Sequence, residues 1–430
     1  DLEVQFHEVV EFLKRGIDLI NEHSIDEDGS KLKYRGLKSG YENYYKKISG
    51  QISGAKNFKL LESEKENWNN FLRFVDKEAS SEDKQYFEEL LKLIGKEQLE
   101  SRSRSYYGNS TLIATVKRIY RNAVEAKKVD SQRKPGYQER DQENLLNRIK
   151  SLNYSFDARV DKEIFLDRLK NYANIDNSYR RPVYSELLGL DSNFAETKNI
   201  VGEIYSSEFN NSETLLQLME LNLEELNKSE DPLVIFAKKT YQESLDYEKK
   251  YEARSARRQL LKSKFIGVLK KYYKASNKQL YSDANGTLRV TYGNVAGVSL
   301  KDGINYEPFT RLEGITQKHT GKKPFNAGRE LLELIDNKDY GDYFYKPINS
   351  VPVNFLSTLD ITNGNSGSAT INSNFELVGL AFDGMIETII ADYKYIPQAR
   401  TISVDSRYLL WTLEKLEKAD NILDELTIVK

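Results

Sequence analysis

The sequence contains no cysteine among its 430 residues and only three histidines, His7, His23 and His319. The lack of cysteine excludes disulfide frameworks, thiolate catalysis and cysteine-ligated metals, although it does not identify a compartment. Three scattered histidines without an i, i+4 pair also argue against a zinc site. No phosphate-binding glycine loop of the Walker or dinucleotide type is present either. We therefore predict a protein with no metal and no cofactor.

Long apolar runs and an excess of one charge are also missing. No segment approaches the ~18 consecutive apolar residues of a membrane helix, and 64 Lys and Arg balance 66 Asp and Glu. A balanced charge provides no global basic field for nucleic acid. We predict no membrane span and no nucleic-acid partner, and the length suggests two or three domains.

Proline and glycine are scarce in the first two thirds of the chain. Three of eight prolines and 12 of 24 glycines precede residue 283, where Lys, Glu, Leu and Tyr dominate. Apolar residues recur three or four positions apart, for example in segments 71–75, 86–94 and 215–223, which predicts amphipathic helices. Asp231 followed by Pro232 predicts the start of the longest helix, which extends to about residue 275.

The pattern changes after about residue 280, where the density of glycine roughly doubles. β-Branched residues alternate with others in segments 287–292 and 370–372, which predicts short strands joined by turns. Residues 406–419 have the pattern of an amphipathic helix. We predict an α+β protein, with a large all-α helical domain at 1–280 and an antiparallel β domain at 281–430.

A turn sequence with a central serine lies at residues 360–369 (DITNGNSGSA). Its small residues permit a tight turn from which Ser366 projects, while the backbone N–H groups of Gly364 and Ser366 point at one spot. Two such donors beside a serine form an oxyanion hole. Gly, Asn and Ser are also the commonest hairpin residues, so an ordinary turn is the alternative. Strand-like runs at 351–356 and 375–382 flank the turn and favour a catalytic loop.

Five sequence blocks occur in an order that is typical of one enzyme family. They are residues 283–293 (DANGTLRVTYG), 351–356 (VPVNFL), the serine turn, 380–384 (LAFDG) and 400–408 (RTISVDSRY). These blocks resemble the bacterial dipeptidyl-peptidases of the seven and eleven type, which are chymotrypsin-clan serine exopeptidases. A weaker match covers 41–47 (YENYYKK). The chain departs from the family pattern at Asn363, Ala369 and Met385, and none of these changes removes a catalytic group.

The resemblance implies a fold and an activity. Residues 281–430 would form a chymotrypsin-like antiparallel β-barrel half that carries the nucleophilic serine and ends in a C-terminal helix, and residues 1–280 would form a helical cap. The implied activity is a serine dipeptidyl-peptidase that removes N-terminal dipeptides from oligopeptides. The family also implies a homodimer in a periplasmic or secreted location.

Three further residues match family positions that bind substrate. Asp383 matches the aspartate that pairs with the free α-amino group, a chemistry that suits a carboxylate, although Asp-Gly after a strand also suits a plain turn. Gly384 matches the position that sets the preference for the residue before the cut. Members that favour Asp or Glu carry Arg there, so Gly implies a roomier, uncharged pocket for apolar side chains. Asn43 matches an asparagine that also holds the amine, although a surface asparagine is an equal alternative.

The base and the orienting acid that a serine nucleophile needs have no candidate in this sequence. In the family both lie upstream in a first β-barrel, whereas this sequence opens on the helical pattern of residues 2–13. His7 lies on that helix, His23 just past its end, and His319 in a polar turn, which are settings of ordinary surface histidines. We therefore expect the chain to be the C-terminal part of a longer enzyme.

Two other functions are compatible with parts of the sequence. A noncatalytic relative would use its helical part to bind a peptide or protein, and a trypsin-type endoprotease would cut within long chains. The intact serine turn favours an enzyme over a binding module. The large helical segment and Asp383 count against an endoprotease, because both obstruct long substrates.

Overall fold

The protein divides into two compact units in a computed structural model that describes residues 5–107, 110–278, 280 and 287–429. Within these ranges the helical unit comprises residues 5–46 and 65–280, and the sheet unit comprises residues 47–64 and 287–429. Residues 47–64 thus belong to the sheet unit, although the sequence pattern placed them in the helical part. The use of residues 1–280 as a cap stays a prediction.

Helices account for the first part of the chain, as the spacing of apolar residues predicted. They are α1 (Gln5–His23), α2 (Ser30–Asn57), α3 (Leu60–Glu78), α4 (Ser81–Tyr106), α5 (Thr111–Glu125), α6 (Gln142–Ser151), α7 (Ala158–Tyr172), α8 (Pro182–Leu187), α9 (Phe194–Tyr205), α10 (Ser212–Glu220), α11 (Leu223–Lys228), α12 (Pro232–Lys239) and α13 (Tyr241–Ala275). The C-terminal part of α2, from Lys47 onward, lies in the sheet unit.

The core of the helical unit forms around amphipathic helices with side-chain caps. Helix α5 begins after Ser110, whose hydroxyl accepts a hydrogen bond from the amide of Ile113 at 3.0 Å. Such a cap satisfies one of the amides that a helix N-terminus leaves unpaired. The apolar face of α5 is buried in one cluster with Phe165 and Tyr184, both of which are fully buried. Burial of this apolar face is what stabilises a helix of this length.

The predicted long helix from Pro232 begins where expected but is interrupted. The Asp231 carboxylate accepts hydrogen bonds from the amides of Leu233 and Val234, at 2.9 and 3.1 Å, which confirms the predicted cap. Helix α12 then ends at Lys239 and α13 begins at Tyr241. The buried Thr240 lies between them, and its hydroxyl donates to the carbonyl of Phe236 at 2.9 Å. A threonine that bonds back to the preceding turn bends a helix, which explains the break.

The sheet unit contains two antiparallel sheets and short helices. Its elements are β1 (Val298–Lys301), β2 (Ile304–Tyr306), β3 (Phe309–Arg311), α14 (Glu313–Lys318), α15 (Arg329–Asp336), β4 (Pro352–Ser357), β5 (Ser368–Ile371), β6 (Leu377–Gly384), the 3₁₀ helix Ile386–Ile390, β7 (Thr401–Asp405), α16 (Ser406–Trp411), the π-helix Thr412–Leu416 and α17 (Asp420–Leu423). Strands β1 and β2 form a hairpin, and the larger sheet has the order β3-β4-β7-β6-β5.

The predicted barrel is not what the described residues form. In these residues β3 pairs only with β4, and β5 pairs only with β6, so the larger sheet is open. Closure of a barrel requires that the two edge strands also pair, because only then does every strand have two neighbours. The antiparallel pairing was predicted correctly and the closure was not. The chymotrypsin-like assignment stays a prediction.

Two elements predicted from the sequence, a strand at 287–292 and the C-terminal helix, are not formed as predicted. Residues 287–292 have the alternation of a strand but form no strand in the described chain, and Leu288, Val290 and Tyr292 are 94%, 81% and 91% exposed. Alternation shows only that a segment suits a sheet, whereas a strand also needs a pairing partner. Residues 283–286 of the same block lie outside the described residues. The predicted C-terminal helix is α-helical over Ser406–Trp411 and continues as a π-helix.

The core of the sheet unit is small and has Trp411 at its centre. This side chain is fully buried with Leu312 and Val351, and its indole N–H donates to the carbonyl of Asp339 at 2.8 Å. A buried indole needs such an acceptor, because an unpaired donor in the core is costly. Among the described residues, no helix has the length and apolar character that a membrane crossing requires.

Candidate active site

The serine turn is held by a hydrogen bond to the side chain of Asn365 and by a backbone hydrogen bond to β6. Gly364 and Gly367 both have φ of +88°, a left-handed conformation in which a side chain would be strained. The side chain of Asn365 accepts from the amide of Thr362 at 2.9 Å, and the amide of Gly367 donates to the carbonyl of Ala381 at 2.7 Å. The turn is therefore a defined structure at the sheet edge.

Ser366 lies exposed on this turn. Its hydroxyl donates to the carbonyl of Phe382 at 3.0 Å. In the described part of the chain, the amides of Gly364 and Ser366 donate to no protein acceptor. Two amides without an internal partner beside a serine hydroxyl are available to an oxyanion. The joint direction of these amides stays a prediction.

A β-bulge in β6 places Asp383 beside the serine. The register between β6 and β7 shifts between Ala381 and Asp383, so that Phe382 is an extra residue on the bulged strand. Because a bulge breaks the alternation of a strand, Phe382 and Asp383 are both exposed. The Asp383 carboxylate accepts a hydrogen bond from the amide of Gly384 at 2.8 Å, and no ion pair to it occurs among the described residues.

These residues line one cavity of about 220 Å³ within the sheet unit. The structure thus brings together Ser366, Gly364, Asp383 and Gly384, four of the five residues predicted from the sequence. The remaining wall residues are Lys47, Ile361, Thr362, Asn363, Phe382, Thr388, Ile389 and Asp392. Asn43 is an exposed residue of the helical unit, and its role at the substrate amine stays a prediction.

Gly384 lies in close contact with Thr388, and its role in setting the pocket stays a prediction. A Cβ atom at this position would lie 2.2 Å from Oγ1 and 2.9 Å from Cβ of Thr388. Real Cβ atoms do not approach other atoms so closely, so any larger residue here must displace Thr388, which lies on the 3₁₀ helix Ile386–Ile390. The Thr388 hydroxyl donates to the carbonyl of Met385 at 2.6 Å, which holds it against the glycine.

Asp392 is a wall residue that the sequence did not reveal. Its carboxylate accepts hydrogen bonds from the side chains of Thr362, Asn363 and Gln51, and it forms an ion pair with Lys47 at 3.2 Å. Burial raises the pKa of Asp392, but the hydrogen bonds from Thr362 and Lys47 outweigh burial and lower it overall. Since Gln51 and Asp392 are 341 positions apart, no local sequence pattern could identify this group.

No histidine lines the cavity. His7 and His23 lie on α1 in the helical unit. His319 follows α14, and its Nδ1 atom accepts a hydrogen bond from the amide of Ala327 at 3.0 Å. The described residues also contain no group of three or more acidic or histidine side chains that could hold a metal ion. A histidine base for Ser366 is therefore not among the residues that line this cavity.

Comparisons with known proteins give the chain a family context. The family described as Peptidase S46 matches residues 1–428. An Asp/Glu-specific dipeptidyl-peptidase from Shewanella putrefaciens is 33% identical over 96% of this chain and 60% of its own length. A dipeptidyl-peptidase 7 from Phocaeicola vulgatus is 41% identical over 39% of this chain and 24% of its own length. The chain spans about 60% of the length of the Shewanella relative, which is less than two thirds.

A solved structure shares the fold. Porphyromonas endodontalis DPP11 in complex with the dipeptide Arg-Glu superposes with a TM-score of 0.72, at 24% identity, over 99% of this chain and 60% of that chain. At this level of identity the likeness concerns the arrangement of helices and strands. The described fold is therefore one that known proteins adopt.

Proposed function

The chain belongs to the Peptidase S46 family, and we propose that it supplies the nucleophile and the substrate pocket of a serine dipeptidyl-peptidase acting on oligopeptides. One observation carries the proposal: Ser366 and Asp383 line the same cavity of the sheet unit. A nucleophile and an exposed carboxylate in one pocket suit an enzyme that cuts at a fixed distance from a free amine.

Ser366 is the proposed nucleophile, and the amides of Gly364 and Ser366 are the proposed oxyanion donors. The hydroxyl attacks the carbonyl carbon of the second peptide bond, and the amides stabilise the negative charge that develops on the carbonyl oxygen. Both amides lack an internal acceptor in the described chain, which leaves them available for this task. A base must accept the proton of the hydroxyl, because serine is a weak nucleophile on its own.

Asp383 is the proposed anchor for the α-ammonium group of the substrate. Its carboxylate is exposed in the cavity and accepts a hydrogen bond from the backbone amide of Gly384. A charge-assisted hydrogen bond from a substrate ammonium would complete its partners. Such an anchor would measure two residues from the scissile bond, as a dipeptidyl-peptidase requires. Asn43 is proposed to assist at the same amine, a role that rests on the family resemblance.

The proposed preference is for an apolar residue before the cut. Gly384 places no charge in the cavity, and the Lys47 ammonium group is paired with Asp392 at 3.2 Å. A substrate carboxylate would lose its hydration without gaining an uncompensated cation, at a cost of several kcal/mol. The Shewanella relative is named for Asp/Glu specificity, so the preference is open to a direct test.

Dipeptide-coumarin substrates that end in Leu, Phe, Asp and Glu test the anchor and the preference in the longer enzyme that we propose this chain to be part of. Free substrates ending in Leu or Phe should be cleaved fastest, and acetylation of the amine should abolish cleavage because it removes the charge that Asp383 pairs with. Equal rates on acetylated substrates would refute the exopeptidase. A wild-type preference for Asp or Glu would refute the role of Gly384.

An arginine at position 384 should move the preference toward acidic residues by supplying a cationic partner. The contact with Thr388 requires a paired change, because even Thr388→Ala keeps the Cβ atom that lies 2.9 Å from the new side chain. Gly384→Arg should therefore be made together with Thr388→Gly, with Thr388→Gly alone as the matched control. The ratio of Glu to Leu cleavage should rise only in the double variant.

We further propose that the base and orienting acid lie outside these 430 residues. Two observations support this: no histidine lines the cavity, and the chain spans 60% of the Shewanella relative. The purified 430-residue chain should hydrolyse peptides no faster than its Ser366→Ala variant, since losing such partners costs on the order of 10⁴-fold. Clear Ser366-dependent turnover by this chain would show that His7, His23 or His319 is the base.

A homodimer and a periplasmic or secreted location are proposed from the family resemblance. Light scattering of the full-length protein would give twice the mass of one chain if it dimerises. Cell fractionation would place it outside the cytoplasm. The mass of a single chain would contradict the homodimer. Recovery in the cytoplasmic fraction would contradict the proposed location.

A further inference from the structure

One face of α2 packs against the segment that follows β6. Gly50 and Gln51 follow Lys47 by three and four residues, and Gly54 follows them by four and three, so all four lie on the same face of this helix. All four belong to the sheet unit. Two of them are glycines within a helix, where glycine is unfavourable by about 1 kcal/mol relative to alanine. Something other than helix formation must therefore account for them.

The glycines make room for the 3₁₀ helix Ile386–Ile390. A Cβ atom at Gly50 would lie 2.9 Å from Cγ1 of Ile389, and one at Gly54 would lie 2.7 Å from Ile389 and 2.8 Å from Ile390. Ile390 is fully buried in a cluster with Ile396 and Ala399. The close approach therefore fixes where the chain leaves the 3₁₀ helix.

Asp392 lies two residues after Ile390. Its carboxylate links the face of α2 to the serine turn. On one side its carboxylate pairs with Lys47 at 3.2 Å and accepts from Gln51 at 3.0 Å. On the other side it accepts from the hydroxyl of Thr362 and, at 3.1 and 3.2 Å, from the amide group of Asn363. Thr362 and Asn363 immediately precede Gly364, the first proposed oxyanion donor.

We propose that Asp392 is a positioning residue that holds the Thr362–Asn363 arm and thereby aligns the amides of Gly364 and Ser366. The proposal rests on the proposed function. The turn needs this support because the two glycines at φ of +88° are sterically free to adopt other conformations. A carboxylate with partners on two elements limits that freedom. Misplacement of a catalytic group by about 1 Å costs on the order of 100-fold in rate.

Kinetics of the full-length protein test the proposal with Asp392→Ala, Thr362→Val and the control Asp302→Asn, which changes an exposed residue of the β1–β2 turn. Asp392→Ala should lower kcat about 10- to 100-fold with KM nearly unchanged, because oxyanion donors act in the transition state. Thr362→Val removes one hydrogen bond to an intact Asp392 and should lower kcat about fivefold. Asp302→Asn should behave as wild type.

Hydrogen exchange of the 430-residue chain provides a readout that does not depend on activity. The amides of Thr362, Asn365 and Gly367 are hydrogen-bonded in the turn. Peptides that cover residues 360–369 should exchange about tenfold faster in Asp392→Ala than in Asp302→Asn, while peptides from α5 and α7 should be unchanged. Faster exchange across the whole sheet unit would show that Asp392 only stabilises the fold and would overturn the positioning role.

The two readouts separate this inference from the proposed function. Unchanged exchange at 360–369 together with unchanged kcat in Asp392→Ala overturns the positioning role. A rise in KM without a fall in kcat would also overturn it, since that pattern indicates loss of substrate binding. Turnover that survives Ser366→Ala would instead refute the proposed nucleophile, whatever the exchange of the turn.

Discussion

The two units use buried and exposed carboxylates in different ways. In the helical unit Asp161 is buried and accepts four hydrogen bonds, from the hydroxyls of Ser110 and Tyr205 and from the amides of Thr111 and Leu112. In the sheet unit Asp383 is exposed in a cavity, with one recorded hydrogen bond from a neighbouring amide. A buried acid with complete partners stabilises a fold, whereas an exposed acid with unused acceptor capacity is suited to a ligand.

The hydrophobic cores of the two units also differ in size. In the helical unit one large cluster draws on most helices from α5 to α12. The described cores of the sheet unit are smaller, one around Trp411 and one around Ile390. We infer that stability of the helical unit is spread over many apolar contacts, whereas the function proposed for the sheet unit depends on an exposed turn. Four experiments test this difference.

The largest expected effect is on the core of the helical unit. Phe165→Ala should lower the free energy of unfolding by about 3–5 kcal/mol, because it removes a fully buried ring. The matched control is Tyr154→Ala in the same unit, where the ring is 79% exposed and the change should be about 0.5 kcal/mol or less. Urea denaturation followed by circular dichroism measures both. Equal losses would show that burial does not distinguish these rings.

A smaller effect is expected at the buried carboxylate. Asp161→Ala should cost about 2–3 kcal/mol, because it leaves the amides of Thr111 and Leu112 without their acceptor inside the fold. The control is Asp167→Ala. The Asp167 carboxylate accepts a hydrogen bond from Arg15 at the surface at 3.1 Å, and this contact should contribute about 1 kcal/mol or less to the free energy of unfolding. The same denaturation experiment compares them, and a neutral Asp161→Ala would contradict a structural role.

In the sheet unit, replacing glycine by alanine should change the free energy of unfolding in opposite directions at two positions. Gly384→Ala should cost about 1–3 kcal/mol, because its Cβ atom would overlap Thr388. Gly314→Ala should instead stabilise by up to about 1 kcal/mol, because Gly314 is helical and no atom lies within 4 Å of an added Cβ. Thermal unfolding of the two variants measures this, and destabilisation by both would argue against the Thr388 contact as the cause.

The smallest effect on stability is expected at the proposed nucleophile. Ser366→Ala removes one exposed hydrogen bond and should change the free energy of unfolding by about 0.5 kcal/mol or less. In the longer enzyme proposed above the same change should abolish turnover. Comparison of unfolding curves and of rates for this one variant separates function from folding. A large loss of stability would place Ser366 in the structural part of the sheet unit.

Much of the local structure was predictable from neighbouring residues. The Asp231 cap, the helical periodicity and the serine turn depend on hydrogen bonds and steric limits within a few positions. The strand pattern at 287–292 led to a wrong prediction for the same reason. Alternation is a local property, and no strand of the described chain pairs with that segment in a sheet.

The position of Asp392 and the need for glycine at 384 could not be predicted in this way. Both depend on the 3₁₀ helix Ile386–Ile390, which packs on a face of α2 more than 300 positions away in the chain. The same long-range packing accounts for the membership of residues 47–64 in the sheet unit. Such contacts depend on the shapes of surfaces that exist only after folding.

The sequence by itself determined which residues have the chemistry of a site: a serine between glycines, an aspartate after a strand, and no cysteine. Only the tertiary structure decided that Ser366 and Asp383 line one cavity, through the turn's bond to Ala381 and the bulge at Phe382. Among the described residues, the larger sheet also stays open. The physical reason is that side-chain chemistry belongs to each residue, whereas distances and strand pairings belong to the folded chain.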